Sequence, residues 1–300
     1  MEILSYISPV DQQVIHATFF QHKQAKGLIV MFHGMAEHRH RYQAVAMFFQ
    51  QHGYAVLTLD HRGHGDSPYD GSVYGHFANK DGWFTNIEDL HAIITQTCKD
   101  HQLTNVILFA HSMGSLVALS YIKRYGQDLH GLILSGIPKA PPMIGLIEKM
   151  INWVALSNPL KESKLLFTMT FGAFDKKDKG TIKNSWLSVN LDNVQAYNND
   201  PICGFAFSKK AAHDLMVGIK DAHDFRHYPI LENLQVMLLK GQHDVTTSNK
   251  TYQNIEQALT KIGCQVIIDE SLNSKHEVLF DLNRGNVLKQ LLIWINNLNS

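Results

Sequence analysis

Leu108-Phe109-Ala110-His111-Ser112-Met113-Gly114-Ser115 is the stretch that decides how this chain folds. An apolar run, Asn105 to Ala110, ends at a small residue; a serine follows two positions later and a glycine two positions after that. Strand, sharp turn and helix in that order, with small neighbours around the serine, make a nucleophile elbow, in which the turn lifts the hydroxyl clear of side chains that would shield it. The usual pattern is Gly-x-Ser-x-Gly; here Ala110 stands at the first glycine and adds one methyl group. Small-x-Ser-x-Gly arises by chance in many sequences, so the weight rests on context: a strand before, a helix after, and suitable partners downstream.

Those partners occur in the right order. A serine hydroxyl is a weak nucleophile that needs a base, and the base needs a carboxylate to orient it. Behind an elbow of this kind the chain order is Ser, then Asp or Glu, then His. Leu234 to Lys240 reads as a buried strand running into Gly241-Gln242-His243-Asp244. Gln265 to Asp269 reads as the next strand, followed by a polar loop with Lys275-His276-Glu277. The spacing predicts Ser112 as nucleophile, His276 as general base and acid, and Asp244 as the residue that fixes the imidazole tautomer. Singly, an Asp past a strand is usually a turn residue, and one loop histidine among 18 means little. Their conjunction on consecutive strand ends carries the reading. His243 is the rival base, but it adjoins the acid in sequence and its ring is expected to point away.

A tetrahedral oxyanion needs two backbone N–H donors. One is expected from Met113, at the start of the helix after Ser112, where the helix dipole also favours negative charge. The other is expected from Met35, in His33-Gly34-Met35-Ala36-Glu37-His38, which follows the apolar strand Gly27 to Phe32. The bland alternative for His33-Gly34 is an ordinary strand-ending turn.

Composition limits the alternatives. Three hundred residues, 45% hydrophobic, can bury a large core and allow one big domain with an insertion. The formal net charge is zero, so nothing implies a nucleic-acid partner. Cys98, Cys203 and Cys264 are an odd number, widely spaced, and match neither a disulfide framework nor zinc-site spacing. The N-terminal residues lack the basic-then-apolar pattern of a signal peptide, and no apolar run approaches the ~20 residues of a membrane span. These features predict a cytoplasmic protein.

Strands read at about 28–32, 54–59, 105–110, 131–135, 234–240 and 265–269, with helical patterns at about 42–51, 84–99, 113–125, 249–262 and 284–297. Such alternation predicts a mostly parallel sheet with helices on both faces, led by an antiparallel hairpin over Glu2–Ser8 and Gln13–Phe19. The alternation breaks from about Ile137 to Ala222. The division expected is a core of residues 1–136 and 223–300 with a helical cap inserted at 137–222, above the nucleophile. Its first helix, Met143 to Leu156, carries Ile144, Ile147, Ile151 and Val154 on one face, with Leu146, Met150 and Trp153 beside them. That is more apolar surface than one packing stripe needs. The extra face either packs on the core, lines an acyl tunnel, or touches a membrane surface. Asp175 to Lys179 reads as a solvated loop.

Taken together, His33 to His38 with Arg41-Tyr42, Asp60-His61-Arg62-Gly63-His64-Gly65-Asp66-Ser67, Gly75-His76-Phe77, Asp81-Gly82-Trp83, Asp89-Leu90, Ala110 to Ser115, Asn199-Asp200-Pro201, Gly241 to Asp244 and Lys275-His276-Glu277 resemble the lysophospholipase and monoacylglycerol lipase branch of the α/β-hydrolases. The match spans nearly the whole chain. It implies the α/β-hydrolase fold and a serine hydrolase acting on a single-chain acyl ester, with no cofactor and no metal. Two departures stand out. Ala110 replaces a glycine, and Leu279 lies where some monoacylglycerol lipases carry a second histidine, which weakens a specific expectation of glycerol recognition.

Glu37 and Arg41 either brace the oxyanion loop or meet a substrate headgroup, and bracing is the preferred reading. His61, His64 and Asp66 have ligand-type side chains, but their Gly-rich turn reads as a structural loop. Asn199-Asp200-Pro201 is expected to shape a turn in the cap, with Cys203 facing the pocket. The alternatives to a lipid esterase are a short-chain carboxylesterase, a peptidase or amidase of the same fold, and a non-catalytic binding module. A peptidase that trims N-terminal residues needs acidic groups to hold the amine; Glu148, Glu162, Asp175 and Asp178 form no evident cluster in the sequence.

Overall fold

The computed structural model describes residues 1–298, with side chains described throughout except at residues 165–171. Eight strands form one sheet: β1 (Glu2–Ile7), β2 (Val14–Phe20), β3 (Leu28–Phe32), β4 (Ala55–Leu59), β5 (Val106–His111), β6 (Gly131–Ser135), β7 (Gln235–Gly241) and β8 (Gln265–Ser271). Their spatial order is β1-β2-β4-β3-β5-β6-β7-β8. β1 and β2 form the expected antiparallel hairpin, β2 meets β4 antiparallel, and β3 to β8 are parallel.

The central strands are apolar throughout because both faces are covered, and their side chains sort by a period of two. Leu28, Val30 and Phe32 enter one core with Leu57, Leu59, Leu108, Leu132 and Leu134. Ile29 and Met31 enter the other with Val56, Ile107, Phe109 and Ile133. The first core is closed by α2 (Gly82–His101), α3 (Met113–Tyr125) and α8 (Asn249–Lys261); the second by α1 (Gln43–Gln51) and α9 (Arg284–Leu298). Each such aliphatic or aromatic side chain taken from water stabilises the fold by roughly 1.5–3 kcal/mol.

After β3 the chain crosses to β4 on one side and then returns to β5 on the other. That reversal opens a crevice at the carboxyl ends of β3 and β5, where ligands of open α/β sheets bind. Between β6 and β7 the chain leaves the sheet through α4 (Ile144–Ala155), α5 (Lys164–Asp178), α6 (Leu191–Asn199) and α7 (Lys209–Ala222). Ala211, Leu215 and Ile219 of α7 join the first core. On α4, Ile151 and Ala155 are buried, whereas Leu146, Met150 and Trp153 are 50%, 62% and 77% exposed.

One sequence expectation is overturned here. Asp175 to Asp178 are the last turn of α5, not a loop; only Lys179, with φ 57°, leaves the helix. The lysines suit that position, because cations favour the negative end of a helix. Among the described residues no helix is long and apolar enough to cross a membrane.

Candidate active site

Ser112 joins β5 to α3 with φ 53° and ψ −118°, a backbone state rare outside glycine and costly unless its surroundings enforce it. Three features enforce it. The Ser112 N–H donates to the carbonyl of Ser135 at the end of β6 (2.9 Å), and the Ser115 hydroxyl donates to the Ser112 carbonyl (2.5 Å). α3 also starts hard against β3: a Cβ on Gly114 would lie 2.6 Å from the carbonyl oxygens of both Phe32 and His33. The Ser112 hydroxyl makes no capping bond to its helix, although it occupies the N-cap.

Asp244 and His276 meet as the sequence predicts. His276 Nδ1 lies 2.9 Å from Asp244 Oδ2, with both side chains buried. Asp244 Oδ1 accepts from the Thr246 N–H (2.8 Å) and from the Thr246 hydroxyl (2.7 Å). The network assigns the proton to Nδ1 and leaves Nε2 as the basic nitrogen. Burial alone would depress the imidazole pKa, but the adjacent Asp244 carboxylate raises it above the ordinary 6.5. Burial likewise opposes ionisation of Asp244, yet His276 and the Thr246 bonds hold its carboxyl below the usual value. His243 is exposed, and among the described residues only its backbone is engaged, its N–H donating to the Ser274 carbonyl. Thr246 is a residue the sequence reading missed; an Asp-x-Thr turn, in which the side chain accepts from the N–H two residues on, was its available signal.

Gly136, at φ 60°, makes room for the imidazole, since a Cβ there would stand 2.9 Å from His276 Cε1. His111 packs beside His276, with ring centroids 4.6 Å apart. Burial and the neighbouring imidazole push His111 down to about 3, so it is neutral at pH 7.

Gly34, Met35, Ser112, Met113 and His276 line one pocket. No protein group among the described residues accepts from the N–H of Met35 or Met113. For Met113 this follows from its place in the first helical turn. The loop that carries Met35 is held from below. The Gly34 N–H donates to Glu37 Oε1 (2.5 Å), which also accepts from the Tyr42 hydroxyl (3.1 Å). Arg41 bonds Glu37 on one side and both oxygens of Glu277 on the other (2.7 and 2.8 Å). Asn193 of α6 closes the group, donating to Glu277 at 2.7 Å. The guanidinium lies between the rings of Tyr197 and Phe280. Glu37 and Arg41 are thus bonded to each other, and Glu37 to the loop itself. Their third partner, Glu277, lies in the quoted Lys275-His276-Glu277 stretch, but its pairing with Arg41 has no local sequence signal.

His33, His61 and His64 form a buried layer under this loop. His33 Nε2 accepts from the His61 N–H (3.1 Å), His61 Nε2 faces the His33 carbonyl (3.1 Å), and His64 Nδ1 faces the Arg62 carbonyl (2.9 Å). Burial pushes His61 down to about 4 and His64 to about 3. Asp66 points elsewhere, to Arg39 and His40, so these residues pack rather than converge. Asp200 shapes its turn as expected, its side chain accepting from the Ile202 N–H (3.0 Å). Cys203 does not line the pocket; it packs with Trp186, Leu187 and Tyr197.

This assembly has the parts for acyl transfer: a half-buried serine on an elbow, an oriented imidazole, and two N–H groups in the same pocket with no acceptor among the described residues. Known proteins share its frame. A "Probable lysophospholipase L2" of Haemophilus influenzae is 25% identical over 277 residues, 90% of this chain and 83% of its own. A human "Monoglyceride lipase" is 25% identical over 273 residues, 90% of this chain and 82% of its own. The crystal structure of a thermostable carboxyl esterase from Bacillus coagulans superposes with a TM-score of 0.89 at 22% identity, covering 100% of this chain and 99% of that one; its fold is the α/β-hydrolase fold. The family model described as serine aminopeptidase, S33, matches residues 23–283, and the chain belongs to that family.

Proposed function

We propose that the protein hydrolyses carboxylic esters of single-chain lipids through an acyl-enzyme on Ser112. Ser112 Oγ attacks the ester carbonyl as His276 Nε2 takes its proton, and Asp244 balances the imidazolium. The N–H groups of Met35 and Met113 receive the oxyanion. The tetrahedral intermediate collapses, and the alcohol leaves with the proton from His276. A water then gives its proton to the same nitrogen and attacks the acyl carbonyl; the fatty acid leaves and Ser112 regains its proton.

The observation that carries this reading is an apolar cavity of about 390 Å³ that adjoins the nucleophile pocket and shares Met35, Pro138, Phe174, Leu215, Ile219 and Thr246 with it. Among the described residues, Lys139 is the single charged one on its wall. An alkyl chain gains from leaving water for such a lining. The names borne by similar proteins, lysophospholipase and monoglyceride lipase, agree with it. The excursion over residues 137–222 serves as the cap: Ile147 and Ile151 of α4 face the cavity while Leu146, Met150 and Trp153 face out. That outer face rests transiently on a lipid surface and brings the cavity to its substrate.

A peptidase reading needs an unengaged carboxylate near the pocket to hold an amine. Glu37 and Glu277 line the pocket, but Arg41 binds both. Glu148 is paired with His213 and Lys220, and Asp178 with Lys275.

The test is fatty-acid release from lysophosphatidylcholine and monoacylglycerol of one chain length, with Ser112→Ala as control. Release that falls on the order of 10⁴-fold or more in the variant is expected, and the ratio of the two rates assigns the headgroup. Release from neither lipid, with turnover of a short soluble ester, would overturn the lipid reading.

A further inference from the structure

We propose that His38, Asp200 and Cys203 form a binding site for a divalent transition metal of the zinc type, which joins the oxyanion loop to the segment after α6. The three residues bring an imidazole nitrogen, a carboxylate oxygen and a thiol sulfur within 4.8 Å of one another. Nitrogen, oxygen and sulfur in one cluster is a donor set suited to Zn²⁺ and Co²⁺ rather than to Mg²⁺ or Ca²⁺.

The sequence builds half of this site locally. Asp200-Pro201-Ile202-Cys203 is a β-turn, with the Cys203 N–H donating to the Asp200 carbonyl (3.1 Å) and Pro201 at the position that favours its fixed φ. The turn holds two donors at fixed separation. Asp200 Oδ1 is occupied by the Ile202 N–H, so the carboxylate is already oriented; Oδ2 faces His38 Nε2 at 2.9 Å. His38 comes from the other side, at the end of the loop that carries Met35, and is buried. Asp200 is 28% exposed at its side chain, which gives the ion an entry path.

Other clusters fail the same comparison. Glu37, His111 and Glu277 also bring donors within 4.8 Å, but the Arg41 guanidinium bonds both carboxylates and is the cation of that group. The nitrogens of His33 and His61 are spent on backbone partners and on Asn86. At the His38 site, among the described residues, the His38–Asp200 bond and the proton of the Cys203 thiol must be given up. The Arg41 charge nearby is matched by Glu37 and Glu277.

Binding proceeds as Cys203–SH + M²⁺ → Cys203–S–M⁺ + H⁺, with the carboxylate and the neutral imidazole as the other protein ligands. One proton leaves per ion bound, so affinity rises with pH. The ion adds a link beside the bond from the Gly204 N–H to the Ala36 carbonyl (2.9 Å), which already ties the two segments.

The experiment is a Co²⁺ titration of the full chain, read by its thiolate-to-cobalt absorption, with Zn²⁺ as competitor. Expected is a band that saturates at one equivalent, persists in Cys98→Ser/Cys264→Ser, and disappears in Cys203→Ser and in His38→Ala. Asp200→Asn, which keeps a hydrogen-bonding partner for His38, should bind Co²⁺ about tenfold or more weakly. Zn²⁺ at roughly a hundredfold excess over Kd should raise the Tm by about 3 °C or more in the wild type and leave Cys203→Ser unmoved. Absence of a thiolate band in the wild type, or its survival in Cys203→Ser, would overturn the proposal. The metal-free Tm of each variant shows that it has folded. None of these readouts depends on esterase activity.

Discussion

Arg41 and Glu277 are joined by two bonds of 2.7 and 2.8 Å across 236 positions of sequence. Fork-to-fork geometry of this kind is directional as well as strong. Glu277 follows His276, the proposed base, and Arg41 follows the loop of Met35, the proposed oxyanion donor, so this contact ties those two segments together.

Replacing Glu277 with Gln should therefore cost both stability and rate. Breaking a buried ion pair leaves a charge without its partner, a loss of about 3 kcal/mol, with Glu37 still holding one side of the guanidinium. Urea unfolding gives the first quantity and kcat on a soluble ester the second. A variant that matches the wild type in both would show that the loop keeps its position without Glu277.

The pH profile follows from Asp244. In the proposed mechanism His276 acts in its neutral form, and Asp244 raises its pKa above 6.5 against the opposing effect of burial. The acid limb of kcat/KM should thus rise with pH through a midpoint above 6.5. Asp244→Asn removes that charge, so the limb should move to lower pH while the rate falls on the order of 10⁴-fold, the imidazole having lost its tautomer partner. A limb that keeps its midpoint would detach Asp244 from His276.

Gly136→Ala tests the room around the imidazole. The new methyl group would meet His276 Cε1 at 2.9 Å, on a backbone at φ 60° that disfavours any side chain. The ring must shift, and a misplacement of a catalytic group by about 1 Å costs roughly 10²-fold in rate. The labelling rate of Ser112 by a fluorophosphonate should fall in step with kcat. Wild-type labelling would mean that the ring tolerates the contact.

Met150→Glu places a charge on the outward face of α4, where the native side chain is 62% exposed and touches little. Turnover of a soluble short-chain ester should stay within about twofold, because surface substitutions of this kind are near neutral. Turnover of lipid presented in vesicles should fall several-fold, as the helix face loses its affinity for the apolar boundary. Equal losses on both substrates would assign α4 to packing alone.

The elbow, Asp244 and His276 were legible because each follows a strand whose apolar run announces it. The central strands read cleanly for the same reason: Ile29 and Val30 need opposite cores, and both are buried. What escaped is non-local. Glu277 finds Arg41, and Asn193 finds Glu277, only through the fold. The Asp175–Lys179 run misled because charge was read as solvation, whereas Asp178 is bound to Lys275 and Ser185. Cys203 was expected in the pocket and packs instead with Tyr197 and its neighbours, since a turn places side chains by its own geometry rather than by proximity in sequence.

Of the described residues around the apolar cavity, only Met35 and Thr246 come from outside the excursion between β6 and β7. The bond-breaking apparatus and the mould that shapes its guest are thus encoded in separate stretches of the gene. Drift in the second stretch can retune which acyl chain is admitted while the first stays fixed, and an engineer can exchange the mould and keep the chassis.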